Sequence, residues 1–130
     1  MEKIKIAFAT DDGKTFIGKH FGDARFYDIY EINGNNAKFI KRISNTVDEE
    51  ENVHADPKKA KGISTLLLDE KVTVVVSKIF GPNIKRIKKN FVCIVVRDVE
   101  IAIGLKKICD NIEKIYIEWE KGNERKHLTL

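Results

Sequence analysis

The sequence predicts an α/β domain of three layers, α/β/α, built on a mixed sheet. Three observations predict it. The first third alternates apolar and polar residues around an Asn-Gly turn, as an antiparallel meander does. Two later runs, "VTVVVS" (72–77) and "FVCIVV" (91–96), are continuously apolar and rich in β-branched residues, as expected of parallel strands covered on both faces. A chain of 130 residues suits one such core.

The elements follow in order. "KIKIAFAT" (3–10) reads as a strand with Ile4, Ile6 and Phe8 on one face. "DDGKTFIGKHFGD" (11–23) is a loop, because its glycines break any period. "ARFYDIYEI" (24–32) is a second strand, with Phe26, Asp28 and Tyr30 on one face and Tyr27 and Ile29 on the other. "NGNN" turns the chain into a third strand, "AKFIKRIS" (37–44). A polar, acidic loop (45–55) precedes Asp56-Pro57, an N-cap followed by the first helical position. That helix reaches about Glu70, with Ala60, Ile63, Leu66 and Leu67 on its buried stripe. After the strand 72–77, Gly81-Pro82-Asn83 opens a basic helix through Lys89. After the strand 91–96, residues 98–111 form a helix carrying Val99, Ile103, Ile108 and Ile112. "IYIEWE" (115–120) and "RKHLTL" (125–130) read as a terminal strand or hairpin.

The order is β-β-β-α-β-α-β-α. With right-handed crossovers, the fourth strand pairs beside the first, and the sheet order is 3-2-1-4-5 with helices on both faces. This is a ribonuclease-H-like arrangement. Residues 1–112 form the domain and 113–130 a C-terminal extension.

Composition narrows the classes. The 24 basic and 20 acidic residues leave a net charge of +4 and no strong single-sign field, so a nucleic-acid partner is not indicated. No run approaches the ~18 apolar residues of a membrane span, and the chain enters its first strand without a leader-like segment, so a cytoplasmic protein is expected. Cys93 and Cys109 sit in an apolar run and a helix, without a CxxC pair, and read as small core residues.

Topology brings the loops after the first, third, fourth and fifth strands to one carboxyl edge, where open α/β sheets bind ligands. His20 and His54 both belong to that edge, with Asp11, Asp12, Asn52, Gly81 and Asn83. Helices starting at Pro57 and Pro82 would turn N–H groups toward it and favour an anionic ligand. Each histidine alone fits a turn-filling role equally well, and Asp11-Asp12-Gly13 reads as a turn rather than a metal site.

The stretch "IAFATDDG…IGKHFGDARFYDIYEI" resembles the N-terminal signature of the dinitrogenase iron–molybdenum cofactor biosynthesis family. "NVHADPKKAKGISTLLLDEKVTVVVSKIFGPNIKRIKK" resembles its later histidine, helix, valine-rich strand and Gly-Pro-Asn helix start. The resemblance covers residues 3 to about 110. It implies the ribonuclease-H-like fold. Through its iron–sulfur-binding members, it also implies a site at which His20 and His54 ligate a metal or metallocluster. No cysteine cluster motif accompanies them.

The expected function is thus non-catalytic: a binder or carrier of an iron–sulfur cluster or cofactor precursor, working with a cluster donor or acceptor protein. A phosphate- or nucleotide-binding regulatory module is the alternative. A nuclease is the weaker reading, because two-metal chemistry needs a carboxylate set that the strand ends lack. Pairing of the C-terminal segment with another chain's sheet edge would give a homodimer.

Overall fold

A computed structural model describes residues 3–46 and 57–130. Six strands form one sheet in the order β3-β2-β1-β4-β5-β6. Strands β1 (Lys3–Thr10), β2 (Phe26–Asn33) and β3 (Asn36–Ser44) make the antiparallel meander, with Gly34 at φ +64° in the turn. β4 (Val74–Ser77) lies parallel to β1, with Ala7 opposite Val75, and β5 (Val92–Val95) lies parallel to β4. The order 3-2-1-4-5 is therefore observed, as the buried Val and Ile runs dictate.

Alternation within each strand makes two cores. On one face Ala7, Ala9, Tyr27, Ile29, Val75 and Cys93 pack against Ile63 and Leu67 of α1 (Pro57–Asp69) and Ile87 of α2 (Ile84–Ile87). On the other, Ile6, Phe8, Val76 and Ile94 pack against Ile101 and Ile108 of α3 (Ile101–Asp110) and Ile115 of α4 (Ile112–Glu120). Three layers result.

Residues 115–120 are helical, not a strand, which corrects the reading of "IYIEWE". Ile112, Ile115, Tyr116 and Trp119 recur at i, i+3, i+4 and i+7 and share the second core, while Ile117 is 62% exposed. The basic helix after Gly81 is also shorter than its pattern suggests, a single turn. Val99 and Ile103 are exposed rather than core residues.

The last segment adds β6 (Leu128–Thr129), parallel to β5, rather than a hairpin. Arg125 holds it in place. Its guanidinium stacks on Trp119 at 4.1 Å, and it donates to the carbonyls of Trp119 (3.1 Å) and Lys89 (2.9 Å). Glu118, buried nearby, accepts from the Lys126 N–H at 2.9 Å and pairs with Lys121. The crossover through α2 passes over the first face and that through α3 and α4 over the second, while both step the same way across the sheet. They therefore have opposite hands, and one departs from the usual right-handed rule.

Candidate functional site

The carboxyl ends of β1, β4 and β5 form one edge, and the loop after β1 lies across it. Thr10, fully buried, starts the loop. Its hydroxyl donates to the Thr15 carbonyl at 2.7 Å and accepts from the Gly13 N–H at 2.9 Å. Asp12 closes the turn by accepting from the N–H groups of Thr15 and Lys14, each at 2.8 Å, and from the Thr15 hydroxyl. The bonds from Thr15 and then Lys14 lower its pKa to about 2. Asp11 accepts from the Arg25 N–H at 2.9 Å and pairs with Lys19 at 3.1 Å. Partial burial opposes its charge, but these bonds outweigh it, so its pKa is lowered. Both aspartates thus hold the loop. The Phe16 N–H to the Val99 carbonyl, and the Ile101 N–H to that of Lys14, pin it to the segment leading into α3.

The histidine follows. His20 is extended and bridges to Ile79 in the loop after β4, where the Phe21 N–H donates to the Ile79 carbonyl at 2.7 Å. Phe21 is fully buried, stacked on Phe80 at 5.1 Å and against Tyr27 at 5.0 Å. The Tyr27 hydroxyl donates to the Phe21 carbonyl, and burial pushes its pKa up, so it remains a donor. A 3-10 turn, Phe21–Asp23, then leads into β2. Asn45 donates to the carbonyls of Gly22 and Ala24, both at 2.9 Å.

The His20 ring lies directly on Gly81. A Cβ at 81 would stand 2.5 Å from Nδ1 and 2.8 Å from Cγ and Cε1, and Gly81 has φ +73°. Asn83 precedes α2 and accepts from Arg86 at 3.2 Å. The structure therefore brings His20 and Gly81 into contact, with Asn83 two residues on, while Asp11 serves the loop. His54 and Asn52 lie outside the described residues. A helix of four residues at Ile84 carries little dipole, so the anion-favouring helix end expected there is weak.

Lys59 and Asp23 escaped the sequence reading. They form an ion pair beside the histidine turn, with the Lys59 side chain only 11% exposed and its stem against Gly22. The signal was present: Lys59, Ile63 and Leu67 recur every fourth residue, placing a cation on the buried stripe of α1. Among the described residues, no group of three or more His, Cys, Asp or Glu side chains could hold a metal ion. Nor is any described helix long and apolar enough to cross a membrane.

Fold and edge together define the class: a mixed-sheet α/β domain that seats the His20 imidazole against the Gly81 backbone at the carboxyl edge. The chain belongs to the dinitrogenase iron–molybdenum cofactor family, whose model matches residues 2–111. It is similar in fold to the NMR structure of a Methanococcus jannaschii protein named after dinitrogenase, at 21% identity and a TM-score of 0.62, over 86% of this chain and 92% of that one. No curated protein sequence matches it.

Proposed function

We propose that this domain is a non-catalytic carrier of an iron–sulfur cluster or a related cofactor precursor, passed between a donor and an acceptor protein in the cytoplasm. The observation that carries the reading is the seating of His20 on Gly81 in a chain of a cofactor family. The ring is held from below by a glycine and along its backbone by the Ile79 bridge, so it is oriented without being sealed in. Neutral imidazole is a good donor to iron. Lys78, the first residue of the loop after β4, supplies positive charge near the edge for anionic sulfides, whereas Lys19 and Lys59 are already paired with Asp11 and Asp23. His54 is the second ligand in this reading, and the backbone at Gly81 and Asn83 and the loop held by Asp11 complete the cradle. One or two imidazoles without thiolates hold a cluster weakly, which suits delivery rather than storage.

Anaerobic titration with a preformed iron–sulfur cluster, followed by charge-transfer absorption, tests it. His20→Ala should weaken binding at least about tenfold, or about 1.4 kcal/mol, with the melting temperature nearly unchanged. If the His20→Ala, His54→Ala pair binds as the parent does, the carrier reading fails. Binding of inorganic phosphate or a nucleotide at this edge, without cluster binding, would establish the regulatory alternative.

A further inference from the structure

We infer that Lys59 and Asp23 are positioning residues for His20: their ion pair clamps the turn that carries the imidazole to α1 and keeps the ring seated on Gly81. The pair joins the helical layer to the carboxyl edge of the sheet. Lys59 stands in the first turn of α1, and Asp23 ends the 3-10 turn that follows His20. The Asp23 N–H donates to the His20 carbonyl at 2.8 Å, so carboxylate and imidazole belong to one short hydrogen-bonded turn.

The place of Lys59 is unfavourable for a cation on two counts. In a helix's first turn it meets the positive end of the helix dipole. Its side chain is also only 11% exposed, on the stripe that carries Ile63 and Leu67 into the first core, so the ammonium gives up hydration. A leucine or methionine would fill that stripe without either cost. What the lysine adds is a charge with the reach to meet Asp23 across the gap between helix and turn. A buried pair of this kind is weak in net stability; what it can add is one fixed arrangement of the elements it joins.

The packing beneath the pair is close. A Cβ at Gly22 would stand 3.1 Å from Ile63 Cδ1 and 3.4 Å from Lys59 Cε, so the turn lies against the helix with the lysine stem over it. The sheet holds the same turn through its backbone. The Phe21 N–H donates to the Ile79 carbonyl at 2.7 Å, the Tyr27 hydroxyl to the Phe21 carbonyl at 2.9 Å, and Asn45 to the carbonyls of Gly22 and Ala24. These bonds fix where the turn sits on the sheet; the ion pair fixes its tilt against α1. Tilt matters because the ring meets Gly81 without clearance, a Cβ there standing 2.5 Å from Nδ1. A small rotation of the turn about the buried Phe21 would lift the imidazole away. The assignment rests on the carrier reading for its purpose, since it names what aims the proposed ligand. Its test reads the ring itself and uses no cluster, so either can fail without the other.

The test reads the full chain by NMR in the absence of metal. In the parent, the His20 ring protons should show nuclear Overhauser contacts to the Gly81 α-protons. Lys59→Met keeps the stem and removes the charge; Asp23→Asn removes the other charge. Each should weaken those contacts and lower protection of the Phe21 amide from exchange at least about tenfold, near 1.4 kcal/mol. Lys59→Arg should keep both close to the parent. The two changes combined should add little to either alone, because a double-variant cycle isolates the pair from whatever else each residue touches. Ile108→Val trims the opposite core, and Lys61→Met alters an exposed position on α1; both should leave the ring contacts in place. Circular dichroism checks that each variant folds. Parent-like ring contacts in both Lys59→Met and Asp23→Asn would overturn the assignment. So would full additivity in the cycle, which would mean that the two residues act separately. Equal weakening in Ile108→Val would overturn it as well, by tracing the effect to stability alone.

Discussion

Asp28 and Arg42 face each other across β2 and β3 with unequal access to water. The carboxylate is 2% exposed and accepts two bonds from one guanidinium, at 2.7 and 3.2 Å, while Arg42 reaches solvent and lies over the Phe26 ring at 4.6 Å. The hydrogen bond from Arg42 meets a group that cannot hydrate if its partner is lost.

The two halves of this pair should therefore respond differently to substitution. Arg42→Ala strands a buried carboxylate and should cost about 3 kcal/mol or more. Asp28→Asn leaves an arginine that can hydrate and should cost about 1.5–3 kcal/mol. Urea unfolding of the two variants measures the difference. Equal losses would mean that Asp28 gains water when Arg42 is removed.

Gly81→Ala should be destabilising for two separable reasons. Alanine at φ +73° is strained by about 1–2 kcal/mol, and its Cβ would collide with the His20 ring. In Gly81→Ala combined with His20→Ala, the collision disappears and the strain stays. The double variant should thus be more stable than the sum of the single losses predicts, a coupling readable from a thermodynamic cycle. Strict additivity would show that the ring moves aside at no cost.

Asp12 should contribute to acid sensitivity. Its folded pKa of about 2 lies below the ordinary 3.8. Its contribution is therefore complete above the ordinary value and is lost as pH falls toward 2. Asp12→Asn should flatten the fall of the urea midpoint across that window and change its slope little at neutral pH. A parent-like slope in the variant would remove Asp12 from the acid response.

Arg125→Ala should loosen the C-terminal segment by about 1.5–3 kcal/mol, because the carbonyls of Trp119 and Lys89 lose a charged donor. Arg125→Lys should not restore it, since an ammonium cannot stack flat on the indole while reaching both carbonyls. Amide exchange at Leu128 to Leu130 reports the effect; unchanged protection there would show that β6 holds without the arginine.

The sheet was legible in the sequence because its signals are local and unambiguous. Val74 to Val76 and Val92 to Ile94 suit little but buried strands, and the Asn-Gly turn fixes the meander. α4 was not, because Ile115, Ile117 and Trp119 alternate like a strand while Ile112, Ile115, Tyr116 and Trp119 repeat like a helix. Only packing chooses between the two periods, and it turns Ile117 outward. At the carboxyl edge the sequence placed His20 and Gly81 near each other through topology, but their contact depends on a positive φ that no residue pattern encodes. Lys59 was hidden for a different reason: a lysine in a first helical turn reads as solvated until its stripe is compared with Ile63 and Leu67.

The stacking of Arg125 on Trp119 has an optical consequence. The chain contains one tryptophan, and it lies under the guanidinium that fastens β6. The wavelength of its emission maximum follows the polarity around the indole, so a red shift would signal undocking of the last ten residues. Events confined to His20 would leave that wavelength in place and would be seen in visible absorption instead. One sample thus yields two colours of signal, one for each end of the molecule's architecture.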